Sequence, residues 1–149
     1  MLRHVRTLGV RPGLPASPAA ALVFLGDLFG LLLFITWGLY AHNLRAWEVP
    51  VHTAETLAPF LIAWLAIAPL IGLYRSQTLR SYGQTLTILL PGWAVIAFVG
   101  ALIRGTQLFP GGAGPVFVVV NVIFGLVVLA PWRILAVAAV RHTSSAAGG

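Results

Sequence analysis

Residues 19–41 read AAALVFLGDLFGLLLFITWGLYA, a run of 23 residues that is apolar nearly throughout. A hydrocarbon core of about 30 Å is crossed by roughly 20 helical residues, so this run has the length of one transmembrane helix. Its single charged residue is Asp27. A carboxylate near the bilayer centre costs about 2.5–3.5 kcal/mol on insertion scales, so it requires a partner or a proton. The run therefore predicts a membrane span whose acid faces other protein groups rather than lipid.

The composition extends this interpretation to the whole chain of 149 residues, of which 59% are hydrophobic and 8% charged. So few polar residues cannot cover a water-exposed surface, which makes the lipid bilayer the expected partner. The chain has no cysteine, which excludes disulfides and thiolate metal ligands. Its net charge of +6 comes from arginines scattered between apolar runs. That pattern fits anionic lipid headgroups, and no nucleic-acid binding is expected.

Three further apolar runs complete the predicted fold, an all-α bundle of four transmembrane helices at about 19–41, 53–74, 84–104 and 115–140. Thr53 is the expected N-cap of the second helix, with Glu55 in its first turn. Residues 1–18 and 142–149 are predicted to be disordered tails on either side of the bundle. Continuous apolar runs exclude a membrane β-barrel, which requires alternating polarity.

The arginines predict the orientation of the bundle. With the N-terminus in the cytoplasm, only Arg45 and Arg104 lie outside, whereas seven arginines lie on the inner side: Arg3, Arg6, Arg11, Arg75, Arg80, Arg133 and Arg141. We therefore expect both termini in the cytoplasm.

Asp27, Asn121 and Arg133 form the candidate intramembrane polar site. At 100° per residue, Asp27 shares one face of the first helix with Gly30, Phe34, Gly38 and His42. That face is expected to point into the bundle. The functional interpretation is a proton or cation relay through Asp27. The structural alternative is a polar pin in which Asp27 bonds to Asn121, to Arg133 or to a neighbouring backbone group.

A second group of polar residues, His42, Glu55 and Arg104, forms a candidate extracytoplasmic mouth. The helical wheel turns Arg104 inwards, where it can meet Glu55. The functional interpretation is a gate or a ligand mouth, and the alternative is a set of interfacial anchors and solvated loop charges. His42 and His52 are too few for a metal site, which takes three or four ligands, so no metal and no cofactor are expected.

Small residues mark the positions where helices are expected to pack closely, within one chain or between chains. In the first helix Gly26 and Gly30 form a GxxxG motif, and Gly38 lies further along it. In the third helix the corresponding residues are Ala97 and Gly100. This pattern is frequent in membrane helices and leaves open whether it joins two chains.

A set of residues between Asp27 and Arg133 also has a distinctive order and spacing. It consists of Asp27, Gly38, His42, Pro59, Phe60, Trp64, Gly100, Arg104, Phe117, Trp132 and Arg133. In the order and spacing of these residues, the chain resembles the small four-helix membrane proteins grouped as domain of unknown function 3054. The resemblance implies a four-helix fold in an archaeal or bacterial plasma membrane, and it implies no activity.

Three functions remain open on the sequence. The first is a non-enzymatic integral membrane protein that acts by helix packing, as a homo-oligomer or as the accessory subunit of a larger membrane complex. The second is a small proton- or ion-coupled transporter or channel with Asp27 as the coupling acid. The third, an intramembrane enzyme, is the least favoured because no nucleophile elbow, phosphate-binding loop or metalloprotease motif is present.

Overall fold

A computed structural model describes residues 14–109 and 111–146, and five α-helices lie within them. Their bounds are α1 Pro18–Ala41, α2 Pro50–Ile67, α3 Ser76–Leu79, α4 Tyr82–Arg104 and α5 Pro115–Ala146. Helices α1, α2, α4 and α5 are each long and apolar enough to cross a membrane, whereas α3 is a single turn. This confirms the predicted all-α fold with four helices of membrane-spanning length.

Prolines and serines set where the helices begin. Ser17 and Ser81 cap α1 and α4, because their hydroxyls accept hydrogen bonds from backbone amides in the first turn. Helix α2 instead begins at Pro50, whose fixed φ suits the first helical position. The predicted N-cap at Thr53 is therefore wrong. Its hydroxyl donates backwards, to the carbonyls of Ala46 and Val49, and Glu55 lies beyond the first turn.

The second span ends earlier than residue 74, the predicted boundary. Pro69 has no N–H to donate to the preceding turn, which weakens the helix there. Gly72, at φ 79°, then closes a Schellman motif: the amide of Leu73 donates to the carbonyl of Ala68, and that of Gly72 to Pro69. Helix α2 ends at Ile67, just before Pro69, and the turn that Gly72 closes directs Leu73 and Tyr74 into the bundle, where both are buried.

Helix α5 continues past residue 140, where the fourth span was predicted to end. The hydroxyls of Thr143, Ser144 and Ser145 donate to carbonyls one turn earlier, so these polar groups are satisfied within the helix, which runs to Ala146. The prediction of a disordered tail from 142 is therefore wrong for 142–146. The rest of the two predicted tails, 1–13 and 147–149, lies outside the described residues.

The four long helices form a ring in which α1 packs on α2 and α5, and α4 packs on α2 and α5. We call the end that holds Ser17 and residues 68–81 the tail end, and the end that holds residues 42–49, 105–109 and 111–114 the loop end. The core between the helices combines aliphatic side chains with a cluster of aromatic rings. Phe34 makes edge contacts with Phe60 and with Trp93, and Trp93 in turn contacts Trp64.

Candidate functional site

The site nearest the tail end is a buried ion pair between α1 and α5. Asp27 lies nine residues, or about 14 Å, into α1. Arg133 of α5 faces it with two parallel hydrogen bonds, from Nε to Oδ1 at 2.8 Å and from Nη2 to Oδ2 at 2.5 Å. Both residues have 0% of their surface exposed. Two-point pairing of this kind is the strongest arrangement that an arginine and a carboxylate adopt.

Two further side chains donate to the Asp27 carboxylate. The hydroxyl of Tyr74 donates to Oδ2 at 2.6 Å, and Nε1 of Trp132 donates to Oδ1 at 3.0 Å. Each carboxylate oxygen therefore accepts two hydrogen bonds. An ionised carboxyl has about four acceptor positions, so the capacity of Asp27 is fully used.

The donors around Asp27 are themselves held in place. Nε1 of Trp64 donates to the Tyr74 hydroxyl at 2.8 Å, and Nη1 of Arg133 donates to the carbonyl of Leu73 at 3.1 Å. The Arg133 guanidinium also lies over the Tyr74 ring, 5.1 Å from its centre. The network thus joins α1, α2, α5 and the segment that turns in after Gly72. We call it the Asp27 network.

Of the three residues predicted for the intramembrane site, the structure brings two together. Arg133 pairs with Asp27, but Asn121 lies twelve residues away along α5, about 18 Å from Arg133. Its amide donates to the carbonyl of Phe117, one turn earlier in the same helix, at 2.6 Å. Placing Asn121 beside Asp27 was wrong, because a shared helix does not imply a shared depth in the membrane.

Sequence reasoning missed Tyr74, Trp64 and Trp132 as members of the network. The indole N–H of a buried tryptophan needs an acceptor, and the four predicted spans hold four tryptophans but only two carboxylates, Asp27 and Glu55, so Asp27 was a candidate acceptor. Tyr74 gave no such signal. Its position depends on the chain reversal at Gly72, which the sequence had placed inside a helix.

A second site is a cavity of about 350 Å³ at the loop end. Its walls come mainly from α1 and α5 and are apolar, with Phe34, Phe117 and Phe124 among them. Five polar side chains also line it: His42, His52, Thr56, Arg104 and Asn121. Of the predicted mouth residues, His42 and Arg104 thus lie together at this cavity, whereas Glu55 is not among its lining residues.

Arg104, the last residue of α4, is the unusual member of this cavity. Only 8% of its surface is exposed, and its guanidinium carbon lies 5.4 Å from the centre of the Phe117 ring. Nε and Nη1 are buried and have no hydrogen-bond acceptor among the described residues. Burying charged donors without an acceptor is unfavourable in free energy, which is why such groups are normally paired in folded proteins.

The predicted helix-packing residues divide into two groups. A methyl group at Gly26 would overlap Trp132, at Gly30 it would touch Leu129 and Val128, and at Gly100 it would overlap Phe60. Ala97 is fully buried in the same core. Gly38 differs, because a methyl group there would meet nothing within 4 Å and the residue lines the cavity. Gly38 therefore makes no close helix contact within the chain, and a packing role for it between chains stays a prediction.

Within residues 14–109 and 111–146, no three side chains of the His, Cys, Asp or Glu type come together as a metal site would require. The comparisons with known proteins gave one match. The family model described as protein of unknown function (DUF3054) matches residues 24–136. The chain belongs to this family. No curated protein and no solved structure matches it.

The resemblance drawn from the sequence is thereby confirmed, and the DUF3054 match covers both sites. The residues that carried the resemblance fall largely into these two places. Asp27, Trp64, Trp132 and Arg133 belong to the Asp27 network. Four further residues of this set line the loop-end cavity, namely Gly38, His42, Arg104 and Phe117. The two sites therefore lie at opposite ends of the DUF3054 bundle.

Proposed function

We propose that this DUF3054 protein is a non-enzymatic integral membrane protein of a prokaryotic cell membrane. It acts through helix packing, either as a homo-oligomer or as an accessory subunit of a larger membrane complex. The observation that carries this proposal is that the Asp27 carboxylate is fully hydrogen-bonded and buried: it accepts four hydrogen bonds and has no exposed surface. A carboxylate in that state crosslinks helices and has no free position for a substrate or an ion.

The outer surface of the bundle supports a packing role as well. Large apolar side chains point away from the core along α1 and α5 and include Leu22, Leu25, Phe29, Val119, Ile123 and Val127. These faces contact lipid or a neighbouring transmembrane helix. Rigid internal crosslinking keeps such faces in a fixed arrangement, as a packing partner requires.

Native mass spectrometry of the protein, gently extracted from its own membrane at natural abundance, tests this proposal. We expect the chain in a defined complex, because its proposed role lies in packing. A stable heteromeric complex supports the proposal and makes the chain an accessory subunit, whereas a homo-oligomer alone also fits the transporter alternative, which a flux assay separates. A monomer alone, under conditions that preserve a known membrane complex from the same extract, contradicts the proposal.

The transporter alternative rests on the presence of an intramembrane acid, which is a functional candidate by default. Proton flux into proteoliposomes, measured with an enclosed pH-sensitive dye, separates the two functions. We expect the wild-type protein to show no more flux than protein-free vesicles, because Asp27 is fully paired. Flux in the wild type that disappears in a folded Asp27→Asn variant would establish the alternative instead.

The predicted orientation remains to be tested, and the chain lends itself to cysteine labelling because it has none of its own. Ser76 at the tail end and Gly112 at the loop end are both exposed. With both termini in the cytoplasm, a membrane-impermeant maleimide added outside intact cells should label Gly112→Cys and not Ser76→Cys. The reverse pattern would overturn the orientation, and permeabilised cells, in which both cysteines react, provide the control.

A further inference from the structure

We propose that the loop-end cavity binds a single-chain amphiphile with an oxyanion headgroup. The headgroup pairs with Arg104, and the hydrocarbon chain lies between α1 and α5. This inference goes beyond the packing function and does not depend on it. It rests on a buried cation, two of whose donors lack an acceptor among the described residues, and on the apolar cavity that this cation lines.

The first step of the argument is the state of Arg104. Burial removes water from its guanidinium, and neither Nε nor Nη1 has an acceptor among the described residues. The Phe117 ring covers one face of the guanidinium but does not accept a hydrogen bond from its N–H groups. When the guanidinium turns towards an anion in the cavity, these donors gain an acceptor and the penalty is removed, because hydrogen bonds between ionised groups are the strong ones.

The second step concerns the charge of the ligand. Apart from Arg104, the polar lining of the cavity consists of His42, His52, Thr56 and Asn121, and no carboxylate from the described part of the chain lines it. A cationic ligand would therefore meet an arginine in the lining, whereas the carboxylate that acts on this arginine, that of Glu55, lies outside the lining. An anionic headgroup meets a complementary field, which also favours its entry.

The third step concerns the shape of the ligand. A volume of about 350 Å³ lies at the small end of ligand sites, which suits one hydrocarbon chain better than a whole two-chain lipid. Trp37 and Phe124 line the cavity and also have about half of their surface exposed on the outer face of the bundle. Their rings make an edge contact between α1 and α5, with centres 6.5 Å apart. The cavity thus adjoins the lipid side, from which a chain can enter.

Photolabelling in uncharged phosphatidylcholine nanodiscs tests the proposal. The probe is dodecanoate with a diazirine at the far end of its chain, and mass spectrometry locates the labelled peptides. We expect labelling in the cavity segments of α1 and α5. Unlabelled dodecanoate and dodecyl phosphate are the competitors that share the proposed chemistry. The stronger competitor shows which headgroup the cavity prefers, the carboxylate of a free fatty acid or the phosphate of a lipid.

Two neutral or cationic amphiphiles of equal chain length, dodecanol and dodecyltrimethylammonium, serve as ligand controls. Neither should displace the probe. Arg104→Gln should weaken probe binding about tenfold or more, the size expected for a lost charge-assisted hydrogen bond. Arg45→Gln removes a charge at the same end, from an exposed pair with Glu48, and should leave binding unchanged.

A second variant separates loss of binding from loss of folding. Gly38→Leu fills the cavity from α1, where the side chain has open space, and leaves Arg104 in place. It should abolish labelling of the cavity without lowering the unfolding temperature. Arg104→Gln should also fold, because it removes a buried charge of which two donors have no acceptor in the described part of the chain. Competition by dodecanol equal to that by dodecanoate, or unchanged labelling in folded Arg104→Gln, overturns the proposal.

Discussion

Asp27→Asn is expected to destabilise the folded protein by about 3–5 kcal/mol, the usual effect of removing one partner of a buried ion pair. The substitution preserves the shape of the side chain but leaves the Arg133 guanidinium, with 0% exposure, without its counter-charge. It also turns an NH₂ group towards donors that Asp27 now accepts from, among them Tyr74 and Trp132. Equilibrium unfolding in mixed detergent micelles measures the change.

The exposed pair at the loop end provides the matched control. Arg45 and Glu48 are joined at 3.2 Å, but both side chains are more than half exposed. Glu48→Gln should therefore change stability by no more than about 1 kcal/mol. An effect of Asp27→Asn as small as that of Glu48→Gln would show that the Asp27 network does not hold the bundle together.

Removing both charges together sharpens the prediction. In Asp27→Leu/Arg133→Met no charge is left unpaired, so part of the lost stability should return. Full recovery is not expected, because the Tyr74 hydroxyl, the Trp132 indole and the Leu73 carbonyl each lose a partner. A double-mutant cycle on Asp27 and Arg133 isolates the energy of the pair from that of the surrounding hydrogen bonds.

The pairing of Asp27 was within reach of sequence reasoning because charge is scarce in this chain. A single acid in the first apolar run needs a partner, and Arg133 is one of two residues that were named for it. The chain reversal that brings Tyr74 to the same carboxylate was beyond reach. It depends on a Schellman motif, in which one glycine adopts a positive φ, and Gly72 is one of many glycines in an apolar sequence.

The loop-end cavity shows the same limit. The order of the spans placed His42 and Arg104 at one end, and the structure brings both to the cavity. Whether Arg104 finds an acceptor depends instead on side-chain positions in three other helices. Glu55, its expected partner, is in the right region but does not line the cavity. Periodicity fixes the face of a helix on which a residue lies, not the group that it meets.

Gly26→Ala and Gly38→Ala make the same change in one helix and should have opposite effects. A methyl group at Gly26 would overlap the six-membered ring of Trp132, whose indole donates to Asp27. Such overpacking should destabilise the protein by about 1–3 kcal/mol. At Gly38 the methyl group meets nothing within 4 Å, so the only remaining effect is the higher helix propensity of alanine relative to glycine. That difference in propensity should stabilise the protein by about 0.5–1 kcal/mol.

The clash at Gly26 can be traced to its cause with a second substitution in α5. Trp132→Phe removes the larger ring system and, with it, the hydrogen bond to Asp27, so it destabilises the protein by itself. In that background Gly26→Ala should be nearly neutral, because the methyl group enters the space that the indole left. Unfolding measurements on both single variants and the double variant therefore give a favourable coupling energy. Additive effects would mean that Gly26 matters for some reason other than the close approach of α1 to Trp132.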